Sequence, residues 1–206
     1  MQDNSPVAMA RYQRRRRGVI GVAILVLSCV FLFARSSQPE HVQAFLETAG
    51  ILLIVTGIVG RLWSILYIGG QKSATVIDKG PYSVPRNPLY FFSSIAAAGV
   101  GALTGSVVAT ILFGMLCALA FLVVIWREED YLRANLGAAY VDYLQRVPRF
   151  FPDPRLYADL PQGTFSPQVL RQTLLDGLVF FLAVPLIHLV DWLQQKAFVP
   201  VLFTLW

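Results

Sequence analysis

Arg86 and Asn87 stand side by side in the segment Gly80–Tyr90 (GPYSVPRNPLY), and Glu128 and Glu129 stand side by side in Arg127–Pro152. Tyr82, Tyr90, Tyr140 and Tyr143 accompany them. These residue types suit one task, the holding of a small ligand that carries several kinds of charge. A carboxylate accepts from an ammonium or from hydroxyls, an arginine fork clamps a carboxylate, and an aromatic face attracts a cation. Asn87 can donate and accept but cannot act as a base at neutral pH; beside Pro88 it can also cap a helix. Adjacent residues on a helix point about 100° apart, so one of the two glutamates is expected to face any given site.

The elements that must position these residues are apolar. Runs at 18–34, 44–69, 88–103, 107–126 and 174–193 are each near the length needed to cross a bilayer. Hydrophobic residues make up 56% of the 206-residue chain and charged ones only 14%, against roughly 25% charged in soluble domains. The expected fold is therefore an all-α integral membrane bundle of about five transmembrane helices. Its polar segments lie at helix ends, where charge is costly and so points to a site. Arg11 and Arg14 to Arg17 directly precede the first run. This is the positive-inside pattern, which places the N-terminus in the cytoplasm and argues against a nucleic-acid arm despite the net charge of +5.

Residues 1–17 read as a basic cytoplasmic arm, 18–69 as two helices, 70–152 as the functional core and 153–206 as a linker with a last membrane helix. Pro81, Pro85 and Pro88 stiffen the loop before the third helix. Thr104-Gly105-Ser106 makes the turn of a helical hairpin whose small residues, Ala96 to Ala102, allow close packing. Beyond Trp126 the pattern turns amphipathic to about Gln145, as if the fourth helix ran on into the cytoplasm. Arg61 lies inside an apolar run, where a role is the default. His188 and Asp191, one turn apart, read as packing or interface residues rather than a metal pair, and Cys29 and Cys117 as packing residues rather than a disulfide.

At the two polar segments the chain resembles the isoprenylcysteine carboxyl methyltransferase family and its relatives, the phospholipid N-methyltransferases. The matching residues are Gly80-Pro81-Tyr82, Arg86-Asn87-Pro88-Leu89-Tyr90, Glu128-Glu129 with Leu132, Gly137, Tyr140 and Tyr143, and Val147-Pro148. Arg61 fits the family's second helix. Asn87 replaces a histidine in the manner of the phospholipid branch, Phe92 stands where glycine is common, and Leu136 replaces an aromatic.

The resemblance implies S-adenosylmethionine as cofactor, in a cytoplasmic site built from helix ends and loops. Tyr82, Arg86, Asn87, Tyr90, Glu128, Glu129, Tyr140 and Tyr143 would bind it. Arg86, Asn87 and Glu128 would serve catalysis, and Arg61, Arg146 and Arg149 the substrate; no metal is implied. The acceptor would be a membrane lipid or a lipidated or hydrophobic small molecule, with a carboxylate or a phospholipid amine as the methylated group. The expected location is the bacterial inner membrane. The lack of a histidine, lysine or cysteine at the centre of either segment favours a carboxylate, which needs no base, or an amine served by a glutamate. Two alternatives keep the fold. One is an NADPH-dependent enzyme like the sterol reductases, the other a non-enzymatic accessory protein.

Overall fold

The structure, a computed structural model, describes residues 32–68, 75–159 and 165–206. The basic arm, nearly all of the first apolar run and Cys29 lie outside the described residues. A short strand β1 (Ala34–Ser36) leads into α1 (Glu40–Ile68); α2 (Pro88–Ala102) and α3 (Val107–Leu136) form the hairpin; α4 (Ala138–Arg146) follows; α5 (Pro167–Leu178) and α6 (Ala183–Gln195) are joined by a 3₁₀ turn; β2 (Phe203–Leu205) ends the chain. The class is the expected one, an all-α membrane bundle. Three rods, 40–68, 107–136 and 167–195, are long and apolar enough to cross a bilayer, and α2 is a shorter apolar helix.

Local chemistry sets the element ends. Pro39 precedes α1, and its carbonyl accepts from Val42 and Gln43 N–H. Pro88 occupies the first turn of α2, where a missing N–H costs nothing. Ser106 caps α3, its Oγ accepting from Ala109 N at 3.2 Å. The amphipathic stretch beyond Trp126 is not one helix. Gly137, at φ +59°, ends α3 and starts α4. That left-handed backbone is cheap only for glycine, so the chain turns there and α4 folds back instead of running outward.

The bundle packs through small residues. A Cβ at Gly50 would come within 2.7 Å of the Gly99 carbonyl, so α1 and α2 cross with their backbones in near contact. Ile54 and Ile58 of α1 form a buried core with Leu103, covered by Phe180, Phe181, Val184 and Ile187 of the last rod. Val108, Ile111, Met115, Leu119 and Val123 of α3 are exposed, as a lipid-facing stripe should be. At the end of the bundle away from Glu128, β2 pairs in parallel with β1, Ala34 opposite Phe203. Gln194 Nε2 donates to the carbonyls of Leu32 and Ala34, both at 3.0 Å. Residues 197–206 thus return to the start of the described chain instead of crossing the bilayer.

Candidate functional site

Gly80 begins a 3₁₀ turn (Gly80–Ser83) at φ +57°, with the Tyr67 ring so close that a Cβ would meet it at 2.3 Å. This turn is pinned from both sides. Gly80 N–H donates to the Ala158 carbonyl at 2.7 Å, Ala158 N–H donates to Ser83 Oγ at 3.0 Å, and Arg86 N–H donates to the Pro148 carbonyl at 2.8 Å. Tyr143 Oη donates to the Tyr82 carbonyl at 2.7 Å and ties α4 to the same turn. The two polar segments therefore form one rigid assembly at the end of the bundle where α1 stops and α2 begins.

The adjacent glutamates divide the work. Glu129 is buried, with only 4% of its side chain exposed, and both its oxygens meet guanidiniums. Arg149 Nε and Nη2 donate to its Oε2 at 3.1 and 2.9 Å. Arg86 Nε sits 3.2 Å from Oε1, close enough for an ion pair but not aligned as a hydrogen bond. Arg86 Nη1 donates to the Leu144 carbonyl at 2.7 Å. Asn87 heads α2 without capping it through its side chain; its Nδ2 donates instead to the Arg149 carbonyl at 3.1 Å. Glu128 points elsewhere. Its Oε1 accepts from Tyr90 Oη at 2.8 Å, and it makes no ion pair among the described residues.

Glu128 lines a cavity of about 320 Å³ together with Tyr82, Arg86, Asn87, Tyr90, Tyr140 and Tyr143. Ile68, Val76, Ile77, Leu89, Leu132 and Leu136 supply its apolar wall. A mostly apolar hollow with a few converging polar groups is the usual form of a small-molecule site. Among the described residues, Glu128 is the one carboxylate that lines it. Tyr82 Oη is buried without a hydrogen-bond partner among the described residues, a debt that native structures rarely carry. Glu129, Arg61, Arg146 and Arg149 do not line the cavity. Arg146 meets Asp78 at 3.3 Å at the surface, and Arg61 lies deeper between the helices. Phe92, which stands where glycine is common, does not line the cavity. Its ring packs on Gly60 and against Trp63. The wall residues Val76, Ile77 and Tyr131 escaped sequence reasoning. Tyr131 had a signal, standing three positions after Glu128 and hence on its face of the helix.

Burial pushes the tyrosine hydroxyls up: Tyr140 to about 12, and Tyr82 and Tyr143 well above their usual range. They stay protonated and serve as donors, not bases. Because the folded-state values are raised, their contribution to stability is fully present below pH 10 and is lost as pH rises through the folded values. For Tyr140 the window runs from pH 10 to about 12. An alkaline titration followed by tyrosinate absorbance and helical signal should show unfolding in that window, and Tyr140→Phe should move its onset to higher pH. An unchanged onset would mean that Tyr140 does not couple to folding.

A second, larger cavity of about 470 Å³ opens at the opposite end, lined by Arg35, Glu40, Glu47, His188 and Asp191. It lies far from both polar segments. Among the described residues, no group of three or more His, Cys, Asp and Glu side chains is placed to hold a metal ion.

An all-α membrane bundle whose ligand-sized, tyrosine-rich cavity opens where helices leave the apolar layer defines an integral membrane protein with a boundary site. The chain belongs to the phospholipid methyltransferase family, whose profile matches residues 45–139. That match takes in Arg61, Arg86, Asn87, Tyr90 and both glutamates. The chain is 34% identical over 168 residues to the cobalt-zinc-cadmium resistance protein CzcN of Cupriavidus metallidurans, covering 81% of this chain and 77% of the relative. It is 30% identical over 190 residues to the nickel-cobalt-cadmium resistance protein NccN of Alcaligenes xylosoxydans xylosoxydans, covering 91% and 88%. It is 27% identical over 126 residues to the protein-S-isoprenylcysteine O-methyltransferase B of Arabidopsis thaliana, covering 52% and 60%. No solved structure matches the chain.

Proposed function

We propose that this protein is an S-adenosylmethionine-dependent methyltransferase that methylates the amine of a membrane lipid, with its site at the cytoplasmic face of a bacterial inner membrane. One observation carries the choice of acceptor. Among the described residues, Glu128 is the one carboxylate lining the cavity and has no ionic partner, whereas Arg86, the one guanidinium lining it, is neutralised by Glu129. A carboxylate acceptor would meet repulsion from Glu128. An amine arrives as an ammonium, is attracted, and can leave its proton on the Glu128 carboxylate.

The cavity's groups fit the cofactor. Glu128 offers an anion to its positive charges, the tyrosine rings offer faces to a sulfonium, and Tyr82 Oη supplies a donor that has no partner among the described residues. When bound, S-adenosylmethionine supplies an electrophilic methyl group; the new N–C bond replaces a C–S bond and the electron pair of that bond stays on sulfur. The protein's own part is alignment and dryness. Tyr90 Oη holds Glu128 at 2.8 Å and fixes the carboxylate against the cavity. Asn87, anchored on the Arg149 carbonyl, holds the start of α2 beside it. The apolar wall excludes water from the amine once its proton has left. The basic block at Arg11 and Arg14 to Arg17 supports the cytoplasmic orientation.

The test is a calorimetric titration of S-adenosylmethionine into the detergent-purified full chain, with NADPH as the parallel titrant. Saturable micromolar binding of S-adenosylmethionine alone is expected. Binding of NADPH alone would favour a reductase of the same fold, and binding of neither by folded protein would leave only the accessory role.

A further inference from the structure

The cavity at the end of the bundle opposite Glu128 is walled by two helices that meet it with the same spacing. α1 lines it with Glu40, Gln43, Ala44 and Glu47, and α6 with His188, Asp191, Trp192 and Gln195. Each set runs i, i+3, i+4, i+7, which is one continuous face of a helix. α1 begins at this end and α6 finishes there, so the two polar stripes run antiparallel. Glu47 and His188 each stand seven residues, about 10 Å, in from those helix ends. Helices that pack in lipid close on small residues, as α1 and α2 do at Gly50 and Gly99. Between the stripes a space of about 470 Å³ stays open instead. Contacts outside the stripes hold it in shape: Ser36 Oγ donates to the Gly105 carbonyl at 2.6 Å, and Gln194 Nε2 to the Ala34 carbonyl at 3.0 Å.

The lining names the charge of the occupant. Glu40, Glu47 and Asp191 supply three carboxylates, and none makes an ion pair among the described residues. Among those residues Arg35 is the one guanidinium and His188 the one imidazole on the lining, and the fields of both reach Asp191. Even a charged His188 leaves a negative excess. Residues 18–31, which precede this end in the sequence, contain no lysine or arginine to cancel it. Glu47 stands inside a membrane-length rod, where an ionisable side chain is costly and marks a cavity that is used. A bare metal ion is a poor match, because among the described residues no three His, Cys, Asp or Glu side chains are placed to hold one. The volume is that of an organic ligand. Trp192, 49% exposed, offers a ring face of the kind that attracts an ammonium. Glu40 and Glu47, about 10 Å apart along α1, suit two positive charges carried on one elongated molecule. We propose that this cavity binds an organic polycation of the aliphatic polyamine class, with ammonium groups on the α1 and α6 carboxylates and methylenes along Trp192. The two cavities share no lining residue, so this site stands whatever chemistry the Glu128 cavity performs.

Titration calorimetry of spermidine into the detergent-purified full chain tests the site, with butylamine and magnesium as parallel titrants. Saturable one-to-one binding of spermidine is expected, with butylamine weaker by about tenfold or more for want of a second charge. Glu47→Gln and Asp191→Asn should each weaken spermidine binding about 10–100-fold in protein that stays folded by circular dichroism. Glu40→Gln, at the exposed start of the α1 stripe, makes the same test where a deeper substitution lowers the yield. Glu128→Gln, in the other cavity, should leave the affinity unchanged. An affinity that survives all three stripe variants, or one that falls with Glu128→Gln, would overturn the site. Butylamine binding as tightly as spermidine, magnesium displacing spermidine at equal concentration, or no saturable binding by folded protein would overturn it as well.

Discussion

Glu128→Gln should lower methyl transfer by about 10²–10⁴-fold while the protein keeps its fold, its helical content and its melting temperature. The substitution keeps the size and the acceptor oxygen to which Tyr90 Oη donates at 2.8 Å, so packing is hardly disturbed. It removes the one negative charge that lines the cavity among the described residues. Two jobs end with that charge: drawing a cationic ligand in and taking the proton from the amine. Calorimetry separates them. A donor affinity that falls about 10–100-fold, as for the loss of one charge-assisted hydrogen bond, marks Glu128 as the anchor of the methyl donor. An unchanged affinity with lost turnover marks it as the base. Full turnover in Glu128→Gln would remove the site from this cavity.

The parts of the structure that could be read from the sequence are those set by local chemistry. Apolar run lengths and the Thr104-Gly105-Ser106 turn give the α2–α3 hairpin, and the small residues around Gly99 give its close contact with α1. The 100° step between neighbouring helical residues says that only one of Glu128 and Glu129 faces the cavity. It cannot say which, because the rotation of α3 is fixed from outside. Arg86 arrives from the loop before α2, and Arg149 from beyond α4, and both meet Glu129. Phe92 illustrates the same limit. Whether it fills the cavity or the opposite side depends on Gly60 across the α1 interface, where only a glycine leaves room for the ring. Gly137 was a local signal that the amphipathic pattern masked, since hydrophobic spacing persists on both sides of the break. The β1–β2 clasp had no local signal at all; it joins Ala34 to Phe203 through backbone pairing that any sequence can make.

Glu129 carries the other large expected effect, on stability rather than chemistry. Removing its charge leaves the Arg86 guanidinium, 9% exposed, largely buried and without a counter-ion. Breaking a buried pair in this way costs about 3–5 kcal/mol, enough to abolish folding in a marginal domain. Glu129→Gln should therefore be purified in low yield and melt well below wild type. Arg149 is 41% exposed and can be hydrated once released, so it adds less to the loss. The double variant Glu129→Leu/Arg86→Met follows from the same reasoning. With both buried charges gone, the desolvation debt disappears with them, and much of the stability should return. Thermal melts of Glu129→Leu, Arg86→Met and the double variant, read with wild type as a cycle, measure the coupling. A Glu129→Gln protein as stable as wild type but unable to bind the methyl donor would overturn the structural role and make Glu129 a ligand residue. A destabilised single variant with a recovered double variant identifies the Arg86–Glu129–Arg149 cluster as the brace that holds the loop at Gly80–Tyr90 against α3 and α4. The cavity would then depend on Glu129 for its shape and on Glu128 for its chemistry.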